Sequence, residues 1–107
     1  MSTASLGRAT EYLVRDHLIT QGWKAIMHAA ASKGSGDLLM GHEAYGAALV
    51  QVGRKSKTLG PAARNRLLDD CELIGALPLL AIVIPRQPIV YWVVSRGKPA
   101  TWERWAV

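Results

Sequence analysis

An α/β sandwich, a mixed sheet flanked by helices, is the fold class this sequence predicts. Three observations carry it. Two stretches space their apolar residues at helical intervals and stand apart in the chain. Between and after them come short apolar or alternating runs of strand character, those over 79–84 and 89–94 being near-continuous and of the kind buried on both faces of a sheet. Half of the 107 residues are hydrophobic, which excludes a disordered chain and suits one modest core in one domain.

The first helix is predicted over 5–21 and stops at Gly22. At about 100° per residue Leu6, Leu13, Val14 and His17 fall to one side, and Glu11 borders that face in a stripe with Arg8 and Arg15. A strand over 23–30 follows, then a flexible Ser-Lys-Gly-Ser-Gly loop over 32–36. Strands over 37–42 and 47–53 flank a turn of Glu43, Ala44, Tyr45 and Gly46. If the hairpin centres near Ala44, Asp37 lies directly opposite Gln51, since residues equidistant from a turn pair across the ladder. Pro61 is a good first helical residue, and a second helix runs over 61–74 to Gly75, with Leu67, Cys71 and Ile74 inward. Two strands complete the order α-β-β-β-α-β-β, and a tail with Arg96, Lys98, Trp102, Arg104 and Trp105 ends it.

Charge points to a partner. Thirteen lysines and arginines against eight acids give a net charge of +5, and a pI near 9.8 suits a polyanion, most simply nucleic acid. The excess is clustered: no acid occurs between Glu43 and Asp69, where Arg54, Lys55, Lys57, Arg64 and Arg66 fall. The lone Cys71 excludes an intrachain disulfide and reads as a buried thiol in a reducing compartment. The apolar run near 77–84 contains Pro78 and is too short to span a bilayer, and the N-terminus lacks the order of a signal peptide. The expected location is the cytoplasm, including a host cytoplasm if the chain is phage-encoded.

Two isolated acids, Glu11 and Asp37, precede a strand that ends in the polar, basic segment Gln-Val-Gly-Arg-Lys-Ser-Lys at 51–57. A phosphodiesterase that works through a divalent cation needs oxygen ligands beside a cationic side chain, and this layout offers both. Each feature also has a plainer reading. Glu11 alone suits a solvated helix face, Asp37 suits a cap on the glycine-rich turn, and the basic run suits a solvated surface. Gln51 resists the plain reading, because an amide in Ala-Leu-Val-Gln-Val is expected to be buried and needs partners. His28 and His42 have no ligand spacing with Cys71 or each other, which argues against zinc, and His17 reads as a core-border histidine.

The helix ATEYLVRDHLITQGW, the segment SKGSGDLL and the strand ALVQVGRK, in that order, resemble the PD-(D/E)xK nuclease superfamily. Within it the chain looks most like the small archaeal-type and phage-encoded Holliday junction resolvases, over nearly its whole length. The resemblance implies a restriction-endonuclease-like sandwich. It implies that Asp37, Gln51 in the place of the second acid, and the Val52 carbonyl hold Mg²⁺ or Mn²⁺, with Glu11 touching the metal, often through water. It implies hydrolysis of a phosphodiester to a 5′-phosphate and 3′-hydroxyl, a four-way DNA junction as substrate, and a homodimer; the apolar faces of the last strands and the tail tryptophans Trp102 and Trp105 are candidates for its interface, the tryptophans alternatively for covering a sheet edge. Arg8, Arg15, Lys33, Ser35, Arg54, Lys55, Lys57 and Arg64 are the expected DNA contacts.

One position departs from the pattern. Where the family carries its catalytic lysine, two residues after Gln51, this chain has Gly53. Lys55 is the next residue on the same face of an extended strand, roughly 6.6 Å further on. Arg54 points to the other face unless Gly53 makes a bulge. Replacement by one of these cations, an inactivating substitution, and a binding protein with a degenerate site are the readings the sequence leaves open.

Overall fold

The structure is a computed structural model that describes residues 3–28, 37–54 and 59–106. Its elements are α1 (Thr3–Thr20), β1 (Lys24–His28), β2 (Leu38–His42), β3 (Gly46–Arg54), α2 (Pro61–Ile74), β4 (Ala76–Val83), β5 (Val90–Val93), a 3₁₀ turn (Pro99–Thr101) and β6 (Glu103–Trp105). The strands form one sheet in sequence order, antiparallel throughout except for the parallel pair β3–β4. Only that pair needs a crossover, and α2 supplies it. The predicted order therefore holds through β5, and β6 is an addition: three residues of Glu-Arg-Trp are too short and too polar to show alternation.

Alternation along the central strands feeds two cores. On one face Val50, Val52, Leu79, Ala81 and Tyr91 pack with Val14, Leu18 and Trp23; on the other Leu80 and Ile82 pack with Leu67, Cys71 and Trp102. α1 lies across β1, β3 and β4, whereas α2 covers β3 and β4. β4 is thus buried from both sides, as its apolar run requires. It begins at Ala76, earlier than the strand expected over 79–84. Pro78 is tolerated because its carbonyl, accepting from the Val94 N–H at 3.0 Å, faces β5, so the missing N–H lies on that side and the β3 ladder loses nothing.

Two residues assigned to inner helix faces are outside. Leu13 is 57% and Ile74 52% exposed, while Val14, Leu18, Leu67 and Cys71 carry the contacts. The second helix spans the predicted residues and ends at Gly75, whose φ of 69° is the left-handed cap that lets its N–H reach the Cys71 carbonyl. His17 sits at the core border, its Nδ1 hydrogen-bonded to the buried Tyr91 hydroxyl at 2.8 Å. Burial pushes the Tyr91 phenol well above its usual range. No helix among the described residues is long and apolar enough to cross a membrane.

Candidate active site

The hairpin of β2 and β3 builds the centre of the site. Leu38 pairs with Val50 and His42 with Gly46, so the register carried one step further sets Asp37 across from Gln51, as the turn position implies. The backbone closes that step: the Asp37 N–H donates to the Val50 carbonyl at 2.9 Å. The Asp37 carboxylate then accepts the Val52 N–H through Oδ2 at 2.8 Å. A charged acceptor on a main-chain donor is among the stronger hydrogen bonds, and it fixes the acid where the two strands part. Gln51 is half-buried, on the face opposite the buried Val50 and Val52.

Gly53 shares that face with Gln51. It is buried and stands beside Ile82 of the parallel strand β4, so the family's lysine position lies inside the sheet near its end. Arg54 follows it, exposed, as the last residue of β3. Lys55 and Lys57, with Lys33 and Ser35 of the glycine-rich loop, lie outside the described residues.

Glu11 reaches a residue that the sequence alone did not nominate. His28, the last residue of β1, donates from Nε2 to Glu11 Oε1 at 2.6 Å, and the two side chains are 21% and 20% exposed. His28 pairs with Leu38, the neighbour of Asp37, so the pair sits one ladder row from the Asp37–Gln51 row. The Tyr12 ring stands edge-on to the imidazole at 4.9 Å, and the Arg15 guanidinium lies 4.5 Å from the Tyr12 centroid. Spacing against cysteine or histidine carried no signal for this role, because the contact forms across the sheet edge to α1.

The expected DNA-contacting cations divide. Arg8 and Arg54 are exposed. Arg15 is held by Asp16 at 2.8 Å as well as by Tyr12. Arg64 needs correcting: it is only 9% exposed, and its guanidinium donates to the carbonyls of Arg96 at 3.0 Å, Gly97 at 2.8 Å and Leu59 at 3.4 Å. These are the fold's own acceptors, so Arg64 clasps the loop after β5 to the start of α2. A signal was present, since Arg64 precedes Leu67 and Cys71 on one helical face. Arg96 is likewise committed to Asn65 at 3.1 Å and to Asp69 at 2.8 Å, and the hydrogen bond to the Asp69 carboxylate holds its guanidinium above the usual range.

The expected interface also changes. Trp102 is 7% exposed and its Nε1 donates to the carbonyls of Ser95 and Gly97, so it belongs to the core beneath Arg64. Trp105 is half-buried against the α1-side core and meets the Tyr45 ring edge at 5.1 Å. Among the described residues, the large apolar side chains that remain exposed lie elsewhere: Tyr12, Leu13 and Ile19 on α1, Ile26 and Met27 on β1, Tyr45 in the hairpin turn, and Leu73 and Ile74 on α2.

The residues expected at the site carry the donor types that a hard cation takes. Asp37 offers a carboxylate, Gln51 an amide oxygen and Val52 a main-chain carbonyl, with the Glu11 carboxylate on the neighbouring helix; oxygen donors few enough to leave several waters are what Mg²⁺ and Mn²⁺ take. Among the described residues no three His, Cys, Asp or Glu side chains gather as a metal cluster.

No family model matches the chain, and no curated protein matches its sequence. Among solved structures it is similar to Archaeoglobus fulgidus Hjc, a Holliday junction resolvase from an archaeal hyperthermophile. That likeness has a TM-score of 0.67 at 18% identity and covers 80% of this chain and 75% of that one. That likeness is one of fold: a mixed sheet flanked by helices.

Proposed function

We propose that this protein is a metal-dependent, structure-selective DNA endonuclease that cuts four-way junctions. The observation that carries the reading is the Asp37–Gln51 row at the open end of the β2–β3 hairpin, with Asp37 bonded to the Val52 N–H, in a chain with a resolvase fold. Asp37, Gln51 and the Val52 carbonyl would hold Mg²⁺ or Mn²⁺, assisted by Glu11. When bound, the cation polarises the phosphate and lowers the pKa of a water that attacks phosphorus. The chain's own part is positioning: Asp37 is fixed by two hydrogen bonds, Glu11 is fixed by His28, and exposed cations such as Arg8 and Arg54 meet the DNA backbone. Two symmetric cuts in a four-way junction call for two sites, hence a homodimer acting where the DNA is, with the exposed apolar side chains of α1, β1 and α2 available for pairing.

Gly53 favours a second reading: a junction-binding protein of the same fold without catalysis. Glycine can neither hold an attacking water nor offset charge in the transition state. Lys55, two residues further along the sequence, is the lysine proposed to take over the role. The deciding comparison uses labelled four-way junction, flap and duplex with Mg²⁺ or Mn²⁺. An endonuclease of this kind incises the junction in pairs and loses cleavage in Asp37→Asn while junction binding survives. Cleavage retained by Asp37→Asn removes the site assignment, and equal cutting of flap and duplex removes the junction preference.

A further inference from the structure

We infer that His28 is a positioning residue of the candidate active site, holding the Glu11 carboxylate toward the cation that Asp37 and Gln51 would bind. The inference rests on the endonuclease reading and deepens it. Glu11 projects from the margin of α1 on a flexible side chain, and nothing in a helix face alone fixes where such a carboxylate points. The imidazole fixes it. The 2.6 Å contact to Oε1 is short and charge-assisted, and it spans from the helix to the last residue of the edge strand. His28 is itself held from the side by the Tyr12 ring. The bond engages one Glu11 carboxylate oxygen, Oε1, through Nε2.

Position argues for function more than for stability. His28 pairs with Leu38, immediately after Asp37, so the Glu11–His28 pair lies at the same end of the sheet as the Asp37–Gln51 row. A partly buried carboxylate–imidazole contact gains little net stability, because desolvating both groups offsets most of their attraction. Partners that orient a metal-binding carboxylate, by contrast, commonly carry a 10- to 100-fold effect on metal affinity or rate.

The test compares His28→Ala, His28→Gln and Asp37→Asn with the unaltered chain. It reads Mn²⁺ affinity from the paramagnetic resonance of free Mn²⁺, junction binding by gel shift, kcat and KM for junction cleavage, and the melting temperature. His28→Ala should weaken Mn²⁺ binding about 10-fold or more and lower kcat with KM unchanged. His28→Gln, whose amide N–H can donate to Glu11, should recover most of that loss. A lower melting temperature with Mn²⁺ affinity and kcat unchanged would make the contact a structural tie and overturn the proposal. Should His28→Ala fail to fold, equal Mn²⁺ affinity in Glu11→Gln and the unaltered chain would overturn it as well. Asp37→Asn separates the two levels. If it abolishes Mn²⁺ binding while His28→Ala leaves Mn²⁺ affinity unchanged, the His28 role alone falls; if it leaves Mn²⁺ binding intact, the site reading falls and the role with it.

Discussion

Asp37 is fixed through its backbone and its side chain at once, donating to the Val50 carbonyl and accepting from the Val52 N–H. A carboxylate so restrained reaches a bound cation with little further loss of conformational freedom, which is the kind of preorganisation a metal site needs. Cys71 shows the opposite use of a reactive group. Its thiol is buried in the α2-side core, and burial pushes its pKa from 9.0 up to about 11, the neighbouring Asp70 adding to the rise and a backbone hydrogen bond at Leu49 opposing it. The native state therefore favours the protonated thiol. That contribution to stability is complete below pH 9, the unfolded value, and is lost as pH climbs through about 11. The urea midpoint of the unaltered chain should accordingly fall more steeply between pH 9 and 11 than that of Cys71→Ala. At pH 8 the folded chain should resist iodoacetamide, with labelling appearing only as urea unfolds it; ready labelling without urea would place the thiol at the surface.

Among the elements, the contact between α2 and the loop after β5 depends most on one side chain. Arg64 satisfies three carbonyls and lies over Trp102, 5.8 Å from its ring centroid. Arg64→Ala leaves those acceptors poorly paired and should cost about 2–4 kcal/mol, a drop of roughly 10–20 °C in melting temperature. The hairpin, by contrast, was legible down to its register, because a turn of known centre and period-two alternation suffice to set Asp37 against Gln51. The boundaries of α2 were legible too, through Pro61 and Gly75. What the sequence concealed has specific causes. A charge count treats Arg64 as a surface cation because it cannot see the loop carbonyls that α2 faces. The irregular pairing between Ala25 and Met27 breaks the alternation of β1, so no periodic argument placed His28 beside Glu11. β6 lies below the length at which alternation carries information.

For the whole molecule, the basic charge is unevenly available. Arg64 and Arg96 are spent inside the fold or on the acids of α2, whereas Arg8 and Arg54 remain exposed. Junction affinity should fall linearly with log salt, and Arg54→Ala should flatten that slope by about one phosphate contact. Arg64→Ala, assayed below its melting point, should leave the slope unchanged; a slope altered by Arg64→Ala and not by Arg54→Ala would reverse this division. The fold and the metal-suited oxygens then meet their hardest test at Gly53. The most direct measurement incubates a labelled four-way junction and Mg²⁺ with the unaltered chain, and in parallel with its Gly53→Lys variant. Paired, symmetric incisions by the unaltered chain are the predicted result, with Lys55 then the first residue to substitute. Binding without incision, whether or not Gly53→Lys restores cutting, would contradict an active endonuclease and leave a junction-binding scaffold.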